Sequence, residues 1–214
     1  MTQSTFTRTP ESLASLFTRA DGRYAFARWG RPVAPIVLGV EDETLTVFKG
    51  AFQLVFGAAG MELAETDPEI GANLMVFFLR DWSELADVAG LDVLIPELSA
   101  LLPRLTAAGA RQYRLFRHDA DGAIRAAFLF IRMDETLVQM PAEALALNEA
   151  VHAALIWGEG TITPDQILAK GPAGRFAIRE DMAALLKAAY DPVLPAMAED
   201  ASHALRLWAR LPRG

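Results

Sequence analysis

The stretch PAEALALNEAVHAALIWG, residues 141–158, is the part of the sequence around which the fold is most readily built. It predicts a single helix of about 15 residues, which is close to the usual length in a globular domain. Leu147, Val151, Ala154 and Leu155 recur at the three- and four-residue spacing of one helical face, so this face is expected to be apolar. We therefore expect a central helix against which other segments pack.

Within this helix, the segment from Asn148 to His152 has the spacing of the zinc-peptidase motif H-E-x-x-H, with Asn in place of the first His. In that motif, two imidazoles one turn apart bind Zn²⁺ and the Glu acts on the metal-bound water. An Asn amide is a poor zinc ligand compared with an imidazole. The pattern thus predicts Glu149 as a vestigial catalytic residue, Asn148 and His152 as binding residues, and no metal site or cofactor.

Two other interpretations of this helix stay open. In the structural one, Glu149 lies on the surface, where it can touch His152 three residues later, and His152 packs at the edge of the apolar face. In the other, zinc binds at His152, and further ligands come from downstream acids. The candidate acids are Asp165, Glu180 and Asp181.

Two further histidines are weaker candidates. His118 stands beside Asp119 and Asp121 in a predicted hairpin loop, where we expect it to be solvated. His203 is expected at the boundary of a terminal amphipathic helix over residues 195–211, which places Met197, Leu205 and Trp208 inward.

Composition excludes several function classes. The chain has 214 residues, 52% of them hydrophobic and 22% charged, which indicates a globular protein. A net charge of −7 disfavours nucleic-acid binding, and the lack of cysteine excludes disulfides and thiolate chemistry. The longest run of large apolar residues, Leu74–Leu79, is far shorter than the roughly 20 residues that span a bilayer. With no signal peptide visible at the N-terminus, we expect a soluble, cytoplasmic protein without a membrane span.

The order of the segments predicts an α+β fold. Residues 72–80 are apolar on both faces and predict a central strand, and residues 112–117 and 123–133 predict a hairpin. Residues 92–108 predict one helix, which Pro103 should bend or split. The C-terminal part is helix-rich, and no linker is evident, so residues 1–214 are expected to form a single domain with a mixed or antiparallel sheet packed against helices.

Four segments resemble, in their order and spacing, a bacterial domain family of unknown function. They are Arg28-Trp29-Gly30-Arg31-Pro32-Val33, Ala72-Asn73, the central helix, and the segment from Ala189 to Met197 with the sequence AYDPVLPAM. That family is similar in fold to the zincin-like metallopeptidases. The resemblance implies a mixed sheet packed on helices, with the central helix in the position of the zinc helix. Members commonly carry E-E-x-x-Q there; Glu149 matches that pattern, whereas His152 matches only the zincins.

Trp29 has two interpretations. Its ring stands between Arg28 and Arg31 in the sequence, and a ring beside guanidinium groups suits aromatic or anionic ligands. Packing in the core is the commoner role for such a residue.

Our sequence-based hypothesis is a catalytically degenerate zincin-like domain that binds a small molecule or peptide in a cleft beside the central helix. One alternative is an active zinc-dependent metallopeptidase. Another is a structural protein that interacts through its alanine- and leucine-rich helices.

Overall fold

A computed structural model describes residues 9–171 and 174–212 of the chain. The first eight residues, which are part of the argument about a signal peptide, lie outside the described residues. The helices are α1 (Pro10–Leu16), α2 (Asp42–Ala58), α3 (Leu91–Leu94), α4 (Leu98–Ala107), α5 (Ala142–Ala154), α6 (Pro164–Ile167), α7 (Glu180–Ala189) and α8 (Ser202–Trp208), with 3₁₀ turns at Trp82–Asp87 and Leu137–Gln139. The strands are β1 (Phe26–Ala27), β2 (Pro35–Leu38), β3 (Leu74–Leu79), β4 (Gln112–His118), β5 (Ile124–Arg132), β6 (Leu168–Lys170), β7 (Phe176–Ile178) and β8 (Met197–Ala198).

The central sheet has the strand order β2-β3-β5-β4. Strands β2, β3 and β5 run parallel, and β4 pairs antiparallel with β5 as the edge strand. The predictions of a mixed sheet, of a central strand at β3 and of a hairpin at β4–β5 are confirmed. The β3 sequence LMVFFL is apolar on both faces because β3 lies inside the sheet with helices on either side.

Helices cover both faces of this sheet. The layer formed by the 3₁₀ turn Trp82–Asp87, α3 and α4 packs on one face, and α2, α5 and α7 belong to the core on the other. Strand β4 alternates between these two layers, since Tyr113 and Leu115 contact the first core whereas Phe116 contacts the second. This alternation fixes which side chains of the edge strand face α5.

Helix α5 packs against α2 and β5 and is shorter than predicted. It ends at Ala154 rather than near Gly158, because Leu155 leaves the helix and forms an antiparallel bridge with Arg28. The next amide, that of Ile156, donates to the carbonyl of Ala27 at 2.9 Å. The chain therefore leaves the helix earlier and forms the loop of residues 155–164.

Three aromatic side chains, two of them from distant parts of the chain, donate to the last carbonyls of α5. Trp157 Nε1 donates to the Val151 carbonyl at 3.0 Å, and Trp29 Nε1 donates to that of Ala153 at 2.8 Å. The Tyr190 hydroxyl donates to the carbonyl of Ala154, the helix's last residue, at 2.6 Å. Carbonyls at a helix C-terminus have no partner inside the helix, so these side chains supply the missing hydrogen bonds.

The predicted helix over residues 92–108 is interrupted at Pro96 rather than at Pro103. Ile95 has φ −130° and ψ 81°, which is the non-helical conformation that a following proline favours. Pro103 lies inside α4, which continues past it to Ala107.

The prediction for residues 195–211 was wrong in its extent and in its inward residues. Met197 pairs with β1, and α8 begins only at Ser202, whose amide donates to the Asp200 carboxylate at 2.8 Å. The three residues expected to point inward are partly exposed, with values of 38% for Met197, 54% for Leu205 and 39% for Trp208. Within the described residues, no helix combines the length and apolar character needed to cross a membrane.

Candidate ligand-binding cleft

A cleft of about 670 Å³ opens between β4, the C-terminal half of α5 and the loop of residues 155–164. We call it the β4–α5 cleft. Its volume lies within the range of pockets that hold small ligands. Among the residues that line it are Gln112, Arg114, His118, Asn148, His152 and Trp157. Asn148 and His152, which the sequence predicted to bind a ligand, therefore lie at the same cleft.

Glu149 is completely buried between α5 and β4, so the interpretation of a surface Glu149 is wrong. Arg114 Nη2 donates to Oε1 and Oε2 at 2.7 and 2.8 Å, and Arg114 Nε donates to Oε2 at 3.0 Å. Gln112 Nε2 adds a hydrogen bond to Oε1 at 2.8 Å. Glu149 thus binds two side chains of the edge strand rather than His152.

The partners of Glu149 come from the alternation of β4. Gln112 and Arg114 are two residues apart, so both side chains project to the same face of the sheet, toward α5. Sequence reasoning missed both residues. The signal that marks them is a pair of polar residues at alternate positions of the strand, matched by a buried acid on the facing helix.

Asn148 is 6% exposed, and only one of its two side-chain polar atoms makes a hydrogen bond within the described residues. Its Nδ2 donates to Glu149 Oε1 at 3.0 Å. Because an ionised carboxylate only accepts hydrogen bonds, this contact determines which end of the amide faces Glu149. The opposite atom, Oδ1, is buried and accepts no hydrogen bond from any described residue.

His152 presents an uncharged ring to the cleft. Its Nδ1 lies 2.9 Å from the Asn148 carbonyl, which can only accept, so Nδ1 carries the proton and Nε2 is left as an acceptor. Burial lowers the pKa of His152 to about 4, and the positive charge of Arg114 acts in the same direction against the smaller opposing effect of Glu149. His152 is therefore neutral at pH 7.

No protein-family model, curated protein or solved structure is detectably similar to this chain. Glu149 is enclosed by donors, whereas Asn148 and His152, which line the cleft, each have an acceptor atom that pairs with no described residue. This arrangement suits hydrogen-bond recognition of a ligand.

Trp157 and His118 form further parts of the cleft wall. Trp157 stacks on Phe17 with ring centroids 5.2 Å apart, which holds the loop after α5 in place. His118, predicted to be a solvated loop residue, is the last residue of β4 and lines the cleft while remaining exposed. Partial desolvation lowers the pKa of His118, and the nearby charge of Arg19 acts in the same direction.

The downstream acids proposed as zinc ligands are not among the residues that line the cleft. Asp181 pairs instead with Arg179 at 3.0 Å. Over residues 9–171 and 174–212, no three His, Asp or Glu side chains lie close enough together to hold a metal ion. His203 is 3% exposed rather than at a boundary, with its Nδ1 2.9 Å from the Tyr24 hydroxyl.

Trp29 is part of the core. Its side chain is 1% exposed and donates to α5, so packing is its confirmed role. The guanidinium groups beside it in the sequence have other partners: Arg28 lies 5.5 Å from the centroid of the Tyr190 ring, and Arg31 pairs with Glu69 at 2.9 Å.

Proposed function

We propose that this protein is a catalytically degenerate zincin-like domain that binds a ligand in the β4–α5 cleft. The observation that carries the proposal is the environment of Glu149. The residue at the position of the catalytic acid is completely buried and bound by Arg114, Gln112 and Asn148, while the cleft beside it is open.

A general base must reach the proton that it removes, directly or through one water. Both carboxylate oxygens of Glu149 already accept hydrogen bonds from Arg114, and the side chain is 1% exposed. Activating a water would require breaking this ion pair inside the protein, which is costly. The same pair is well suited to a different task, which is holding the cleft-facing side of α5 at a fixed position against β4.

The charge of Arg114 also disfavours zinc at His152. Its guanidinium group opposes positive charge at the imidazole, and this effect exceeds the favourable effect of Glu149. A divalent ion at Nε2 carries twice the charge of a proton, so the Arg114 guanidinium would repel it more strongly. Its neighbouring ligand would be the uncharged amide of Asn148. The active metallopeptidase therefore has less support than the binding domain.

The zincin-like part of the proposal rests on the sequence resemblance. The mixed sheet and the packing of α5 against it agree with that expectation at the level of architecture. We infer that α5 corresponds to the zinc helix.

A nuclear magnetic resonance (NMR) titration with a mixed library of short peptides tests the proposal. We expect amide shifts to concentrate at the cleft, around Asn148, His152 and Trp157, and mass spectrometry should find the peptides intact after incubation with added Zn²⁺. Peptide cleavage that a chelator abolishes would refute the proposal, and so would shifts confined to surfaces away from the cleft.

A further inference from the structure

The β4–α5 cleft presents hydrogen-bonding groups that no described residue satisfies. Asn148 Oδ1 is a buried acceptor, and His152 Nε2 is a second acceptor one helical turn later. From the strand side, Arg114 is 21% exposed; its Nε and Nη2 bind Glu149, whereas its Nη1 makes no hydrogen bond within the described residues. The residues that line the cleft thus offer two acceptors and one donor.

The buried acceptor is the strongest of these signals. Buried polar atoms without a partner are uncommon in native proteins, and each one is explained by strain, by a buried water or by a bound group. The orientation of the Asn148 amide is determined by its contact with Glu149, so Oδ1 cannot be exchanged for a donor by turning the amide over. A ligand that donates a hydrogen bond at this position would satisfy it.

We propose that the β4–α5 cleft binds a primary carboxamide group, and this assignment rests on the binding function proposed above. The –NH₂ of the ligand donates one hydrogen to Asn148 Oδ1 and the other to His152 Nε2, whose side chains are neighbours on the same helical face. The carbonyl oxygen of the ligand accepts from Arg114 Nη1. A primary carboxamide has the two donors and the acceptor that this set requires.

Hydrogen-bonding capacity and charge favour a carboxamide over two other ligand groups, a carboxylate and an ammonium group. A carboxylate only accepts, so it would place its oxygens against two acceptors. An ammonium group has the donors but brings a positive charge close to Arg114, which already opposes protonation of His152 more strongly than Glu149 favours it. A neutral donor group avoids both conflicts.

The size of the cleft favours a peptide as the source of the carboxamide. At about 670 Å³ the cleft is large enough for a drug-sized ligand, and a free amide would fill only a small part of it. Phe116, Trp157 and Ile162 line the remainder and offer apolar contact area. We therefore assign the carboxamide to a Gln or Asn side chain within a peptide.

The test uses the full chain labelled with ¹⁵N and the blocked peptide acetyl-Ala-Ala-Gln-Ala-Ala-N-methylamide. Two matched peptides carry Met or Glu in place of Gln, and N-acetylglutamine N-methylamide serves as the small source. We expect the Gln peptide to bind at least about tenfold more tightly than the Met and Glu peptides, because only Gln pairs with both acceptors. The small amide should bind more weakly at the same residues.

Variants connect the preference to the cleft. Asn148→Leu removes the buried acceptor at similar volume and should abolish the tenfold preference for Gln, whereas Gln53→Leu makes the same kind of change at an exposed position of α2 and should retain it. If Asn148→Leu does not fold, His152→Phe removes the second acceptor while keeping a ring, and the preference should fall.

The outcomes separate this assignment from the proposed function. Equal binding of the Gln and Met peptides at the cleft would overturn the carboxamide assignment and leave a binding cleft in place. Tighter binding of the small amide than of the peptide would support the chemistry and identify the free compound as its source. No shift at the cleft with any probe at millimolar concentration would overturn both proposals.

Discussion

Glu149 is a charged residue whose side chain is buried in the interface between α5 and β4, where it is 1% exposed. Moving two opposite charges out of water costs more than their attraction returns, unless hydrogen bonds satisfy the remaining atoms. Here five hydrogen bonds from Arg114, Gln112 and Asn148 do so. The pair therefore contributes less to net stability than to the position of α5 relative to the edge strand.

We expect Arg114→Met to lower the free energy of unfolding by about 3–5 kcal/mol, because it leaves the Glu149 carboxylate buried without a counter-charge. Urea denaturation measures the change. Adding Glu149→Leu to this variant should restore most of the stability, since two apolar side chains then face each other. Arg117→Met on the same strand is the matched control: its pair with Glu97 is exposed, so the cost should be about 0–1 kcal/mol. Additive losses in the double variant would contradict the buried pair.

At the residue scale, the sequence identified the residues of α5 that lie at the cleft, but it did not identify the side chains that they contact. The spacing of Asn148 and His152 places both on one helical face, and both line the cleft. The partners of Glu149 lie 35 and 37 residues earlier in the chain, on an edge strand. Helical spacing carries no information about contacts between separate elements, so Arg114 and Gln112 were missed.

Helix α5 ends where side chains from separate segments meet its last carbonyls. Trp29, Trp157 and Tyr190 supply these hydrogen bonds, and all three belong to the segments on which the family resemblance was based. His152 lies in this last turn, so the same contacts hold one acceptor of the cleft.

We expect Tyr190→Phe to cost about 1–3 kcal/mol of unfolding free energy, because the buried Ala154 carbonyl loses its donor. Amide hydrogen exchange should also become faster at the end of α5. Tyr113→Phe makes the same chemical change at a half-buried ring whose hydroxyl makes no hydrogen bond within residues 9–171 and 174–212, and it should change stability by less than about 0.5 kcal/mol. Equal effects of the two substitutions would show that the cap is unimportant.

Element boundaries were harder to predict than the elements themselves. The β4–β5 hairpin and the β3 strand follow from local patterns, and both are confirmed. The early end of α5 depends on Leu155 pairing with Arg28, a contact between residues far apart in sequence. Pro96 interrupts the helical segment and Pro103 does not, although the sequence alone favoured Pro103.

Two of the three histidines of the molecule, His152 and His203, lie in or beside its core, whereas His118 is exposed. Burial lowers the pKa of both His152 and His203 to about 4, and His203 also lies near the charge of Arg206. An ordinary histidine in the unfolded chain titrates near 6.5. Between these values the unfolded chain binds more protons than the folded one, so stability rises with pH across this range.

We expect the free energy of unfolding to fall by about 2 kcal/mol from pH 6 to pH 5, because each of the two histidines contributes nearly one proton. Urea denaturation at several pH values measures the slope. His203→Phe should reduce that slope by about half. Carboxylates with a lowered pKa, such as Asp67, lose their contribution only below about pH 4 and do not affect this window. A slope that does not change in the variant would contradict the assignment.

At the scale of the molecule, composition and segment order were sufficient to predict an α+β architecture with a mixed sheet. A cleft beside the central helix was predicted, but its walls could not be, because they come from β4, α5 and the loop of residues 155–164. The prediction of an interaction protein stays a prediction. Exposed apolar residues such as Val193 and Leu205 occur near the C-terminal helix, and measuring the oligomeric state would test whether they are covered.

The aromatic donors at the end of α5 have a consequence for synthesis on the ribosome. The last of them, Tyr190, emerges more than 30 residues after the helix that it caps. A nascent chain that already contains Asn148 and His152 would therefore lack a finished recognition surface until nearly the whole polypeptide has been made. Binding competence should arise late and abruptly during translation rather than growing with chain length.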